Sequence, residues 1–260
     1  MTTPTPQTLN PVEFDAPLIN PAPDGLYAAT SFLAQGATDV PRWLASGVRV
    51  RPHNYGGEEA FGVWDAPWCG DPGDSIKDGE RPGLPDPFDP YTVWAFDMCD
   101  LTVPSQAEVR ERAAQNLRLI EPVAVEREFA ARLLVDAGTA EAATDIVEAV
   151  GHIEAEFAKT NTVGVIHASA GLAAHADRYG LIIRNGGTLK SPMGHTWVFG
   201  GGYVEGLGHT IVGTSPTFGW RNTVEVRETI EERYNQFVVV AERSVVVGYE
   251  KAVAAATLTP

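Results

Sequence analysis

Ile146-Val-Glu-Ala-Val-Gly-His-Ile-Glu-Ala-Glu-Phe157, followed shortly by Val163-Gly-Val-Ile-His-Ala168, is the stretch on which the reading of this chain turns. Ile146, Val150, Ile153 and Phe157 recur at i, i+4, i+7 and i+11, a single apolar stripe that faces a core. The pattern predicts a helix from about Thr139 to Lys159, then a short buried strand over Val163–His167. Ser169 is placed to cap a small helix, Ala170–Tyr179, which Gly180 closes. A hairpin follows: Leu181–Arg184 and Thr188–Lys190 flank Asn185-Gly186-Gly187, where Asn-Gly supplies the positive φ angles of a tight turn. The strand Thr196–Phe199 then runs into Gly200-Gly201-Gly202. Together these form a compact α/β unit.

Upstream lies a longer helix signal. Pro104 precedes Ser105-Gln106-Ala107-Glu108, a capping box in which Ser105 caps the Glu108 amide and Glu108 reaches back. Val109, Ala113, Leu117, Ile120, Val125, Phe129 and Leu133 then recur at helical spacing, and Gly138 ends the run. The predicted helix covers Ser105–Asp136, about 48 Å at ~1.5 Å per residue. Pro122 inside it is expected to kink or divide it, and its Arg- and Glu-rich outer face reads as solvated.

Before that helix the chain is irregular. Residues 1–25 hold Pro4, Pro6, Pro11, Pro17, Pro21 and Pro23, so an extended arm is expected there. Ala28–Leu33 is a short helical candidate and Val48–Pro52 a strand candidate. Residues 65–91 are dense in Asp, Gly and Pro, between strand-like Ala60–Trp64 and Tyr91–Met98. Residues 50–100 therefore read as a long two-stranded excursion with an irregular tip, and a lid over an active site is the competing reading. Downstream, strands are expected at Thr223–Ile230, Phe237–Ala241 and Ser244–Tyr249, ahead of an Ala/Val-rich tail.

Composition narrows the function classes. The 260 residues carry 19 Lys+Arg against 34 Asp+Glu, a net charge of −15, which argues against a basic nucleic-acid-coating surface. Only Lys77, Lys159, Lys190 and Lys251 are lysines. Self-repulsion at this charge makes a soluble monomeric enzyme the simplest default. No basic-then-apolar leader and no 18-residue apolar window are present, so neither a secretory signal nor a membrane span is expected. Cys69 and Cys99 flank the excursion; they form either a disulfide after release into an oxidising environment or two unpaired thiols.

Catalytic constellations are weak. His53, His152, His167, His175, His195 and His209 show no metal-ligand spacing, so no metal or cofactor is expected. His167-Ala-Ser169-Ala-Gly171 lacks the first glycine of a nucleophile elbow, and Ser169 is better read as a cap. The glycines at 200–202, 206 and 208 have strand-like flanks and no lysine follows, where a phosphate loop needs Gly-Lys-Ser/Thr entering a helix, so turn or close packing explains them.

The order of parts carries a resemblance: arm, excursion, long charged helix, compact α/β unit, closing strands. It resembles the major capsid proteins of tailed bacteriophages, whose α+β Hong Kong 97-type fold is shared with encapsulin shells. Ile146–Phe157 is similar to the axial-domain helix of that family, Val163–Ala168 to the strand after it and Leu172–Tyr179 to the next helix. Met193-Gly-His-Thr-Trp-Val-Phe-Gly200 resembles its glycine, small loop and apolar strand, and Phe237–Gly248 its closing peripheral strands. The resemblance implies an N-arm at 1–25 and, over 26–138, a peripheral domain with an E-loop at about 50–100 and a spine helix at 105–136. An axial domain at 139–220 and a return to the peripheral domain at 221–260 complete it.

It further implies a non-enzymatic major capsid protein, without a cofactor, that self-assembles through pentamers and hexamers into an icosahedral shell. That shell encloses double-stranded DNA without sequence-specific binding, in a virion assembled in the host cytoplasm with portal, scaffold or decoration proteins. Some members crosslink an E-loop lysine to a neighbour's asparagine. Here Lys77 is the lysine in that loop and Asn235 a conceivable partner, though no local motif establishes the pair. The alternatives are an encapsulin-type shell around protein cargo and a soluble α/β hydrolase with residues 65–91 as lid.

Overall fold

A computed structural model describes residues 14–33, 46–71, 73–74 and 76–259. The first part of the expected arm, residues 1–13, lies outside them. Leu26–Ala29 (α1) and Thr30–Phe32 (β1) replace the expected helix at 28–33. The β-branched Thr30 instead enters a parallel pairing with Thr217. Val48–Pro52 contributes only an isolated bridge, Val48 to Phe88.

Tyr91–Cys99 (β2) leads into Val103–Ala137 (α2), the long helix. Its cap differs from expectation. Thr102 is the N-cap, and the Asp100 carboxylate accepts from the Thr102 amide and hydroxyl. Ser105 thus lies inside the helix, and Glu108 pairs with Arg112 at 3.2 Å rather than reaching back. Pro104 sits in the first turn, where its missing donor costs nothing. Pro122 does not divide the helix, which runs unbroken to Ala137.

Glu141–Ala143 (β3) forms a strand where a helix was expected to begin. The helix Ile146–Thr160 (α3) starts after it because the Asp145 carboxylate accepts from the Val147 and Glu148 amides. Then come Val165–Ser169 (β4), Ala173–Arg178 (α4), Ile183–Asn185 (β5), Thr188–Lys190 (β6), Thr196–Gly200 (β7) and Tyr203–Gly206 (α5). Ser169 caps as read, accepting from the Gly171 amide. In the β5–β6 turn the positive φ, +60°, belongs to Gly186 and not to Asn185. Thr210–Thr214 (β8), Thr217–Arg221 (β9), Glu225–Glu231 (β10), Gln236–Gly248 (β11) and Ala252–Leu258 (β12) complete the chain. Two expected strands, 237–241 and 244–249, are thus one continuous β11, and the apolar tail is itself a strand.

Two sheets result. In the outer one β11 is central: it pairs antiparallel with β10, β2 and β9, and β1 joins β9 in parallel. The other has seven strands in the order β3-β12-β8-β4-β7-β6-β5. Its central strands are buried along their length, which is why they read as continuous apolar runs and not as alternation. Helix α3 covers one face, seating Ile153 and Phe157 against Ile166, Ile211 and Ala256. The C-terminal half of α2 covers the other, with Phe129 and Leu133 in one cluster with Val165, Val198, Tyr203 and Val212. The same cluster continues onto Val93, Ala95, Phe237, Val239 and Ala241 of the outer sheet. One helix therefore couples both sheets.

Candidate interaction surfaces

The excursion is pinned at its base and bare at its tip. Arg132 of α2 donates to the carbonyls of Pro87 (2.8 Å) and Asp86 (2.9 Å), and its guanidinium stacks 4.3 Å over Phe88. Phe88 in turn packs edge-on to Tyr249, and a side chain at Gly248 would collide with its ring. Asn54 is held by the Glu250 carboxylate, and the Tyr55 hydroxyl by Thr162. Beyond this base the expected two-stranded pairing does not form: Ala60–Trp64 is not a strand, and β2 spends its ladder on β11. An isolated two-stranded ribbon has too little apolar burial to hold itself in water. Val63 is 97% and Trp68 94% exposed, with Phe61, Ile76 and Leu84 also open to solvent. A stretch of large apolar side chains on ladder-free backbone is the kind of exposed patch that marks a candidate interaction surface.

Two further surfaces share that character. Residues 14–24 run extended, with Phe14, Leu18 and Ile19 exposed. They are tied to α2, where Gln115 donates to the Ile19 carbonyl at 2.7 Å and Arg118 to the Asn20 side chain. On the outer sheet, Trp94, Phe96 and Met98 alternate along β2 on the face away from α2, each exposed. Their α2-side neighbours Val93 and Ala95 are buried.

Buried polar groups hold the frame. Glu121, 1% exposed, accepts from the Tyr27 hydroxyl (2.7 Å) and from Arg243 Nη2 (2.6 Å). Glu126 accepts from the amides of Leu26 (2.8 Å) and Gly202 (3.0 Å), so it caps two short helices at once. Burial pushes its carboxyl up, against the pull of those amides. Neither residue stood out in the sequence, although a signal existed. The buried stripe of α2 runs Val109, Ala113, Leu117, Glu121, Val125, Phe129, Leu133 in steps of four, and a carboxylate fills the gap. Ile120, expected in that stripe, is exposed.

The glycines at 200, 202 and 206 pack closely, as read, while a Cβ at Gly201 would make only ordinary contacts. A Cβ at Gly202 would lie 2.2 Å from the Val123 carbonyl, and one at Gly206 2.4 Å from Ala130 Cβ. His167 is a satisfied core histidine, with Nδ1 at Tyr203 (3.0 Å) and Nε2 at Thr214 (2.9 Å). Desolvation pushes its pKa down to about 3. Both ring nitrogens are thus occupied away from Ser169, whose hydroxyl serves the Gly171 amide. Lys77 stacks 4.6 Å from the Trp64 ring centre, and Asn235 takes positive φ in the β10–β11 turn. Cys69 is a free, exposed thiol, and Cys99, also free, donates to the Asp100 carbonyl.

No protein-family model and no curated protein matches the chain. Solved structures do. The capsid of a native GTA particle superposes over 98% of this chain and 94% of that one, with TM-score 0.54 and 10% identity. The capsid of the empty GTA particle gives TM-score 0.52 and 11% identity over the same shares, 98% and 94%. A structure from Mycobacterium phage Adephagia covers 95% of this chain and 92% of its own, with TM-score 0.51 and 14% identity. The chain has the Hong Kong 97-type capsid fold. At these identities the correspondence is one of chain path. In this Hong Kong 97-type fold the apolar excursion, the extended arm and the bare β2 face are properties of the chain itself.

Proposed function

We propose that the chain is a major capsid protein that self-assembles, through pentamers and hexamers, into an icosahedral shell around the double-stranded DNA of a tailed phage. The likeness to two GTA capsids along 98% of the chain supports the shell. The observation that carries it is the excursion, where Phe61, Val63, Trp68 and Ile76 stand in water on backbone without a ladder. A second copy laid against them removes that apolar surface from water and gives the backbone partners. In this reading residues 1–25 act as the arm, 50–100 as the E-loop and 105–136 as the spine, and the shell performs no turnover.

A charge of −15 is compatible with DNA as contents, because acidic surface facing a lumen would not adhere to packaged phosphates. Negative-stain microscopy of the expressed full chain tests the shell. Closed particles are expected, and only small monodisperse species across assembly conditions overturns the reading. Nuclease-protected DNA in native particles tests the contents, and protein cargo in its place would make the shell a compartment.

A further inference from the structure

The β5–β6 turn carries a reactive pair. Asn185 is the only asparagine in the sequence that is followed by glycine. It is exposed, and among the described residues its carboxamide takes no hydrogen-bond partner. The Gly186 amide likewise meets no acceptor there. A Cβ built at Gly186 or Gly187 would find open space, so the turn is free of neighbouring side chains. Gly186 holds φ +60°, which glycine adopts without strain, and no β-carbon shields its nitrogen from the Asn185 carboxamide.

The other asparagines each lack one of these conditions. Asn10 and Asn20 precede proline, which has no N–H to react. Asn54 is held by the Glu250 carboxylate at 2.7 Å, and Asn222 accepts from the Ser244 amide at 2.8 Å. Asn116 lies within α2, where the next amide belongs to the helix ladder. Asn161 and Asn235 are followed by Thr162 and Gln236, whose side chains crowd the attacking nitrogen.

We propose that Asn185-Gly186 is a self-modifying site, at which a neutral turn converts to a carboxylate without an enzyme. The Gly186 nitrogen gives up its proton and bonds to Cγ of Asn185. The Cγ–Nδ2 bond breaks, and that nitrogen leaves as ammonia with a proton in place of the one lost. Water then opens the cyclic imide. Opening at the side-chain carbonyl leaves aspartate; opening at the main-chain carbonyl leaves isoaspartate, with the chain running through Cβ. Nothing is oxidised or reduced, and water is the only co-reactant.

Two physical consequences follow. Each conversion adds a negative charge to a chain already at −15. Isoaspartate also lengthens the main chain by a carbon where Asn185 pairs with Thr188, so the register of Ile183 on Lys190 is lost. β5 is a three-residue strand at the sheet edge, and β6 meets β7 through the single pair Lys190–Thr196. The hairpin therefore frays while the buried central strands stay paired. The change does not reverse, so the converted fraction records the age of the protein, as a lone subunit or in an assembly. It does not rest on the shell reading.

Full-length protein is held at mildly acidic and mildly alkaline pH and sampled over weeks. Isoelectric focusing follows charge, and peptide mapping with electron-transfer fragmentation separates aspartate from isoaspartate. Expected is an acidic species with both products at position 185, forming about tenfold faster than at any other asparagine and faster at the higher pH. Asn185→Gln, which would have to close a larger ring, should abolish that species, and Asn185→Asp should co-migrate with it. Intact Asn185 in the folded protein after the urea-unfolded chain has converted there overturns the proposal, because the turn would then protect the site. Conversion led by another asparagine, or at a rate indifferent to pH, overturns it as well.

Discussion

Replacing Gly202 with alanine tests the seam between α2 and the seven-stranded sheet. Gly202 has φ −68° and ψ −23°, a backbone that alanine adopts freely, so any cost is one of contact. The added Cβ would stand 2.2 Å from the Val123 carbonyl oxygen and 2.6 Å from the Arg127 nitrogen, both main-chain atoms of a buried helix. A carbon settles against a carbonyl oxygen at about 3.3 Å or more, so the segment must retreat by about 1 Å. Overpacking of this kind costs about 1–3 kcal/mol. The retreat also stretches the 3.0 Å bond from the Gly202 amide to the Glu126 carboxylate, and losing a hydrogen bond to a charged group costs about 1.5–3 kcal/mol. The total is about 3–5 kcal/mol, or roughly 10 °C in Tm for a chain of this length.

Gly201 provides the control, because its Cβ would meet only Val123 methyl groups at 3.5 and 3.8 Å, an ordinary contact. Gly201→Ala should therefore stay within about 0.5 kcal/mol. Urea unfolding of dissociated subunits, followed by circular dichroism, reads both variants as shifts in midpoint at constant slope. Equal midpoints for the two would refute the reasoning, since they share a glycine run and differ only in what a methyl group strikes.

Other perturbations separate frame from surface. Glu121→Ala strands the half-buried Arg243 and the Tyr27 hydroxyl, and urea unfolding should show a loss of about 3 kcal/mol, where an exposed helical glutamate would cost almost none. Trp68→Ser should leave subunit stability within about 0.5 kcal/mol, because the ring is already in water, yet sharply reduce particle yield by microscopy. His167 has a folded pKa of about 3 against about 6.5 unfolded, so it contributes stability above pH 6.5 that is lost as pH falls toward 3. Between pH 7.5 and 4.5 the unfolded chain gains a proton that the fold refuses, a loss of about 2–3 kcal/mol. His167→Gln, which does not titrate, should lack that share of the acid sensitivity; identical pH slopes would contradict it.

What the sequence disclosed follows the range of the forces involved. Helix α3, β4, the Ser169 cap and the close-packed glycines were legible because a stripe, a cap or a missing side chain is decided within one turn of chain. The capping box at Ser105 failed because Asp100 and Thr102, a few residues earlier, offer the helix start a competing set of acceptors. The pairing of 60–64 with β2 failed because 60–64 forms no strand and β2 instead lies along β11, nearly 150 residues away, and nothing in either segment announces that choice. Glu121 did not stand out in the sequence because its partners Tyr27 and Arg243 lie 94 and 122 residues off. Long-range partners leave only a trace, here a carboxylate in an apolar stripe.

The same division explains how a self-repelling chain can be built to associate. Both buried clusters are anchored on α2 and α3, and neither includes a residue from 51–87. Beyond its pinned base, the tip of the excursion thus adds little to the two buried clusters, and its exposed apolar side chains do not serve the core of this subunit. Its density of acids repels other acidic surfaces. In the proposed shell, apolar burial holds the subunits together against that repulsion. Salt separates the two contributions: raising ionic strength from about 0.05 to 0.5 M shortens the screening length from roughly 14 to 4 Å. Screening of the self-repulsion should speed assembly of the proposed shell severalfold over that range, while particles already formed, held by apolar burial, should persist. Light-scattering rates together with the lifetime of preformed particles measure the two halves. Salt-independent assembly would show that self-repulsion does not limit the encounter, and rapid dissolution of finished shells in salt would show that burial does not hold them.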